Sequence, residues 1–197
     1  AIFCSRGRVR YQAARGQQIA PRTDGISVAI AHYNRGGLAH RPICNLLTHN
    51  FVREVVFFDD GSRPDEFAQL KSFVKSLAAG DRLRVEVRRQ NLGAQATKLD
   101  AVNACLSEWV LVLDSDNTAF PGYLDALSCL RHKQPDTIYC SPYAFPYFSF
   151  QPLAGRTLDF GACAELTRSG VLRRVLIIND GNYLVHRETY LQRISAL

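Results

Sequence analysis

Two acidic clusters in this 197-residue chain each follow an apolar run. Asp59-Asp60-Gly61-Ser62 comes after Glu54-Val55-Val56-Phe57-Phe58, and Asp114-Ser115-Asp116-Asn117 comes after Trp109-Val110-Leu111-Val112-Leu113. Carboxylates so placed hold bare phosphate poorly, because like charges repel. They are suited to a divalent cation that in turn holds phosphate. Taken singly, each cluster also reads as a turn or a helix cap. What lends them weight is the pair of elements that end in them.

Those elements alternate. Ile26-Ser27-Val28-Ala29-Ile30-Ala31 is a short apolar run of buried-strand type, and helical spacing follows over 38–49 (Leu38, Ile43, Leu46, Leu47) after the Gly36-Gly37 break. Residues 54–58 form a second strand rich in β-branched and aromatic side chains. Pro64 opens a helix with Phe67, Leu70, Phe73, Val74 and Leu77 on one face. Residues 82–88 alternate polar and apolar, as in a strand with one wet face. Asn91-Leu92-Gly93 then turns into a third helix with Ala96, Leu99, Val102 and Leu106 on one side. The strand at 109–113 precedes a helix from Pro121 to about residue 132. Four such alternations predict an α/β fold: a doubly wound, mainly parallel sheet with helices on both faces. Ligands of such sheets sit beyond the carboxyl ends of the strands, where both acidic clusters lie.

Several chemistries lack their markers. The turn after the first strand, His32-Tyr33-Asn34-Arg35-Gly36-Gly37, carries no dinucleotide-binding glycine pattern, and no phosphate-binding G-x-x-x-x-G-K-[ST] loop occurs. Neither G-x-S-x-G nor H-E-x-x-H is present.

Four segments in order, ISVAIAHYN (26–34), VVFFDDGS (55–62), NLG (91–93) and WVLVLDSDN (109–117), resemble the nucleotide-binding half of a family-2 glycosyltransferase with the GT-A fold. The resemblance covers about 26–130. A weaker echo at Gly181 to Glu188 is similar to the strand and Arg-Glu that follow the family's acceptor region. It implies a donor-binding part over about 26–130 and a partial acceptor part over about 131–197, transferring a sugar from a nucleotide-diphosphate donor (a UDP-sugar favoured) to an acceptor hydroxyl with inversion. The acceptor, be it saccharide, lipid or protein, is not legible.

The resemblance implies a donor site of Ala31, Tyr33, Asn34, Asp60, Lys98, Asp114, Ser115 and Asp116. Tyr33 would stack on the base, and Asp60 would accept the pyrimidine N–H. Asp116 would reach a divalent metal, Mn²⁺ or Mg²⁺, while Asp114 reaches ribose or a water on that metal. The metal would offset the charge that builds on the diphosphate as the sugar leaves. Lys98 would meet the donor side.

Inverting transfer also needs a general base for the acceptor hydroxyl. By the family pattern that carboxylate would lie beyond Leu197, which predicts a chain that binds its donor but transfers the sugar poorly. Within range, Asp180 is the first choice, ahead of Asp159, Glu165 and Glu188, although Asp180 before Gly181 also reads as a turn residue. His186 reads as structural, and the aromatic stretch Tyr143–Phe150 as a core strand with its turn. Two other readings stand beside transfer: a nucleotide-sugar-binding module without turnover, and a nucleotidyltransferase. The latter lacks its glycine-rich N-terminal loop.

Composition agrees with a folded domain of this size. Hydrophobic residues make up 47% and charged residues 21%, too apolar for disorder and without a run long enough to span a bilayer. The formal charge is +6, and residues 1–25 carry most of it through Arg6, Arg8, Arg10, Arg15 and Arg22 against Asp24. That stretch reads as a basic tail or linker before a domain at 26–197, or as a peripheral contact for acidic lipid. It has too few aromatics for a nucleic-acid module. The six cysteines form no C-x-x-C pair and read as reduced core residues. With no apolar leader at its start, the chain is expected in the cytoplasm, with the inner membrane surface as the place of any tail contact.

Overall fold

A computed structural model describes residues 22–141, 143–144, 148–149, 160–170 and 182–194. Strands β1 (Arg22–His32), β2 (Val52–Asp59), β3 (Leu83–Val87) and β4 (Ser107–Asp114) run parallel. Of the later strands, β5 (Tyr139–Cys140) and β8 (Tyr183–His186) join the same sheet, while β6 (Tyr143–Ala144) and β7 (Phe148–Ser149) pair antiparallel as a separate ribbon. The sheet order is β3-β2-β1-β4-β8-β5, with β8 antiparallel to both neighbours. This is the mainly parallel α/β arrangement expected from the alternation. The helices are α1 (His40–Leu46), α2 (Pro64–Ser76), α3 (Ala94–Ala104), α4 (Pro121–Ser128), α5 (Phe160–Arg168) and α6 (Arg187–Ile194).

Strand side chains alternate between two cores. Ile26, Val28 and Ile30 of β1, Val55 and Phe57 of β2, and Trp109, Leu111 and Leu113 of β4 pack with Ile43, Leu46, Leu70, Leu124 and Leu127 from α1, α2 and α4. Ala29, Val56, Phe58, Val110 and Val112 face the other way, against Ala101 and Val102 of α3 with Tyr190 and Leu191 of α6 alongside. Burying each large apolar side chain contributes about 1.5–3 kcal/mol. Burial on both faces explains why these strands read as continuous apolar runs.

Five expectations need correction. Strand β1 begins at Arg22, inside the stretch read as a tail; Arg22 pairs with Ser107, and Asp24 accepts from Arg53 Nη2 at 2.5 Å. The polar face of β3 is only partly wet: Arg82 is exposed and Arg84 and Glu86 are half-buried. It lies under α3, where Arg84 Nη2 reaches Glu54 Oε2 at 2.8 Å and the Ala104 carbonyl at 2.8 Å, and Arg88 is buried. The inner face of α3 is partly polar: Thr97, Lys98 and Asp100 are buried with Ala101 and Val102, while Leu106 beyond its end is exposed. The sheet offers ionic partners there, and a polar side chain buried with a partner avoids the desolvation penalty of an unpaired one. Among the cysteines whose surroundings are described, Cys105 is buried, but Cys129 and Cys140 are exposed. Helix α4 also stops at Ser128, short of the expected 132.

Candidate functional site

Strand register levels the ends that carry the acidic clusters. Ala31 lies opposite Phe58 on one side and Asp114 on the other, and Asp59 lies opposite Val87. The residues that follow each strand therefore leave one edge of the sheet together. They surround a cavity of about 510 Å³ together with the first turn of α3. Ala31, Tyr33, Asp60, Lys98, Asp114, Ser115 and Asp116 all line it. Asn34 does not: its backbone N–H donates to Ser62 Oγ at 2.8 Å and its Oδ1 accepts from the Arg63 N–H at 2.8 Å, tying the β1 and β2 loops together. Asp180 and Asp159 lie outside the described residues. Glu165 and Glu188 are exposed and do not line the cavity. His186 packs on Trp109 at 5.3 Å, with Glu108 at 3.6 Å, at the amino end of β4.

Asp60 is buried and heavily bonded. Its Oδ1 accepts from Arg88 Nη1 at 2.6 Å and the Leu92 N–H at 3.0 Å, and its Oδ2 accepts from the Gly93 N–H at 2.9 Å. A carboxylate has about four acceptor positions, so one is left on this cavity-lining residue. Gly93 has φ +89°, a backbone that disfavours a side chain, and that turn aims its N–H at Asp60. Asp59 has a different task. Its two oxygens accept from Ser62 Oγ at 2.5 Å and the Ser62 N–H at 3.0 Å, closing the Asp-Asp-Gly-Ser turn.

Each carboxylate of Asp114-Ser115-Asp116 meets a base. Lys98 Nζ lies 3.0 Å from Asp114 Oδ1, and Arg35 Nη1 lies 2.7 Å from Asp116 Oδ2. Asn117 Nδ2 donates to Asp114 Oδ2 at 3.3 Å. The site also includes His32, whose ring is buried with neither nitrogen hydrogen-bonded. Burial holds its imidazole below the ordinary value of 6.5, against the opposing pull of Asp59 and Glu66.

Sequence reasoning missed Arg35, Arg88 and Asp100. Arg88 joins Asp60 to Asp100, and its guanidinium lies 5.0 Å from the Phe58 ring centre. The available signal was an arginine three residues ahead of the Asn-Leu-Gly turn, but strand alternation assigned it to solvent.

The donor set fits a hard divalent cation. Such ions take oxygen ligands, and Mg²⁺ in particular uses one or two carboxylates plus substrate phosphate oxygens rather than an all-protein cage. Among the described residues no three His, Cys, Asp or Glu side chains converge on one point.

The sequence profile of glycosyl transferase family 2 matches residues 27–161, and the chain belongs to that family. It is 29% identical over 111 residues to an uncharacterized glycosyltransferase of Mycoplasma pneumoniae, covering 55% of this chain and 37% of that protein. Similar solved structures include the mannosyltransferase PcManGT from Pyrobaculum calidifontis in complex with GDP-Man and Mn²⁺ (20% identity, TM-score 0.46, 56% of this chain and 33% of that one). Another is S. aureus TarS (24% identity, TM-score 0.46, 53% and 31%). The chain thus spans about a third of the length of each of these relatives. No helix among the described residues is long and apolar enough to cross a membrane.

Proposed function

We propose that this chain binds a nucleotide-diphosphate sugar, with a UDP-sugar favoured, and serves its transfer to an acceptor hydroxyl with inversion and a divalent metal, Mn²⁺ or Mg²⁺. One observation carries the reading: an aromatic ring, a carboxylate with one acceptor direction left, a buried lysine and two further carboxylates converge on one cavity at the carboxyl edge of a parallel sheet. Half-exposed Tyr33 offers a face for the base. Asp60 offers its remaining acceptor position to the pyrimidine N–H. Asp116 and Asp114 would hold the metal, with Lys98 fixing Asp114. The metal, when bound, acts as a Lewis acid toward the leaving diphosphate.

Among the acids in range, Asp180 is the first candidate for the base on the acceptor hydroxyl, ahead of Asp159, Glu165 and Glu188. The test is a transfer assay with a panel of nucleotide sugars and acceptors on the wild type, Asp116→Asn and Asp180→Asn. Turnover of a UDP-sugar that collapses in Asp116→Asn supports the assignment of the site. A further fall of about 10²- to 10⁴-fold in Asp180→Asn locates the base there. Tight UDP binding without turnover for any donor favours a binding module instead.

A further inference from the structure

The two basic partners of the Asp-Ser-Asp segment differ in kind. Lys98 is 2% exposed against Asp114, whereas Arg35 is 47% exposed against an Asp116 that is itself 37% exposed. A buried cation cannot leave its carboxylate without stranding a charge in low dielectric. A solvated ion pair exchanges for water at little cost. The Asp116 partner is therefore the one that can move. The backbone beneath it is tied down: the Gly36 N–H donates to Glu66 Oε2 at 2.8 Å, and Gly36 packs so close to α2 that a Cβ there would lie 2.3 Å from the Glu66 carbonyl oxygen.

We propose that Arg35 is a place-holder on Asp116, displaced by the divalent cation and transferred to the diphosphate of the incoming nucleotide. This rests on the donor-site reading above. A dication on Asp116 and a guanidinium at the same oxygen repel, so the cation expels the side chain. The diphosphate brought into the same cavity supplies the planar fork with a new anionic partner. Arg35 thereby links the two ligands. The cation alone must leave Arg35 unpaired, the nucleotide alone competes with Asp116 for it, and the two together leave every charge matched. Coupling between them is reciprocal.

Mn²⁺ is titrated into wild type, Arg35→Gln and Arg35→Lys, followed by loss of the free-ion paramagnetic resonance signal, with and without saturating UDP. Arg35→Gln is expected to bind Mn²⁺ alone about three- to tenfold more tightly than wild type. The factor by which UDP tightens Mn²⁺ is expected to shrink by a similar amount, while Arg35→Lys keeps most of the wild-type coupling. Equal Mn²⁺ affinity and equal UDP coupling in wild type and Arg35→Gln overturn the place-holder role and leave the metal site standing. No Mn²⁺ uptake by any of the three proteins, with or without UDP, overturns both.

Discussion

Arg88 and Asp60 form a buried ion pair directly under the cavity, with Nη1 2.6 Å from Oδ1 and the arginine only 3% exposed. The second nitrogen of the same guanidinium is held by Asp100 of α3. The carboxylate that faces the proposed base pocket is thus part of the folding core as well as of the site. Asp60→Asn turns an acceptor-only group into an amide whose NH₂ faces amide donors. It is expected to weaken UDP binding by about 1–3 kcal/mol and to lower unfolding stability by a similar amount. Calorimetric titration and urea unfolding check the two parts. A variant that binds and unfolds like wild type would remove Asp60 from both roles.

Arg88→Met removes the buried guanidinium that Asp60 and Asp100 share. Breaking a buried pair by removing one partner costs about 3–5 kcal/mol. Adding Asp100→Asn to that variant removes one of the two buried negative charges and is expected to recover part of the loss. Urea midpoints of the single and double variants give the answer, and a double variant less stable than Arg88→Met contradicts the triad.

The strand runs and both acidic clusters were legible because burial on both faces writes itself as uninterrupted apolar residues. The Arg88 triad was not. Alternation over 82–88 assigns Arg84 and Arg88 to one face, but whether that face is wet depends on what covers it. The cover is α3, placed by chain crossover rather than by local pattern. The same limit hid Arg35–Asp116: the two residues are distant in sequence and meet only because register sets Ala31 beside Asp114. The inner face of α3 misled for a related reason. Its buried polar residues answer charges on the sheet, so apolar spacing found Val102 but missed Thr97, Lys98 and Asp100 and wrongly included Leu106. Asn34, expected at the donor, instead fastens two loops.

Tyr33 is 45% exposed at the end of β1 and adds little to the core. Stacking of a base on an aromatic side chain is worth about 1–3 kcal/mol by alanine substitution. Tyr33→Ala is expected to weaken UDP binding within that range without moving the melting temperature. Unchanged affinity in a folded variant would place the base elsewhere.

His32 makes stability depend on pH in a defined direction. Burial lowers its folded pKa beneath 6.5, while the unfolded chain titrates near 6.5. Above that value both states are neutral and no stability is lost. As pH falls below it, the unfolded chain takes up a proton that the folded one resists, so stability drops by up to about 1.4 kcal/mol per pH unit until the folded pKa is reached. The charged groups facing the ring are Asp59, Glu66 and Arg35. His32→Leu is expected to lose less urea resistance than wild type between about pH 7.5 and about pH 5.5. Parallel losses in the two proteins would show that His32 is not the source.

The carboxyl edge of β1, β2 and β4 is proposed as a metal-assisted nucleotide site built on Asp114 and Asp116. Calorimetric titration of UDP with Mn²⁺, repeated after chelation and on Asp116→Asn, tests it most directly. Wild type with Mn²⁺ is expected to bind tightly, and binding is expected to be much weaker both after chelation and in the variant. UDP affinity that is the same in all three experiments, or undetectable in all three, would contradict it.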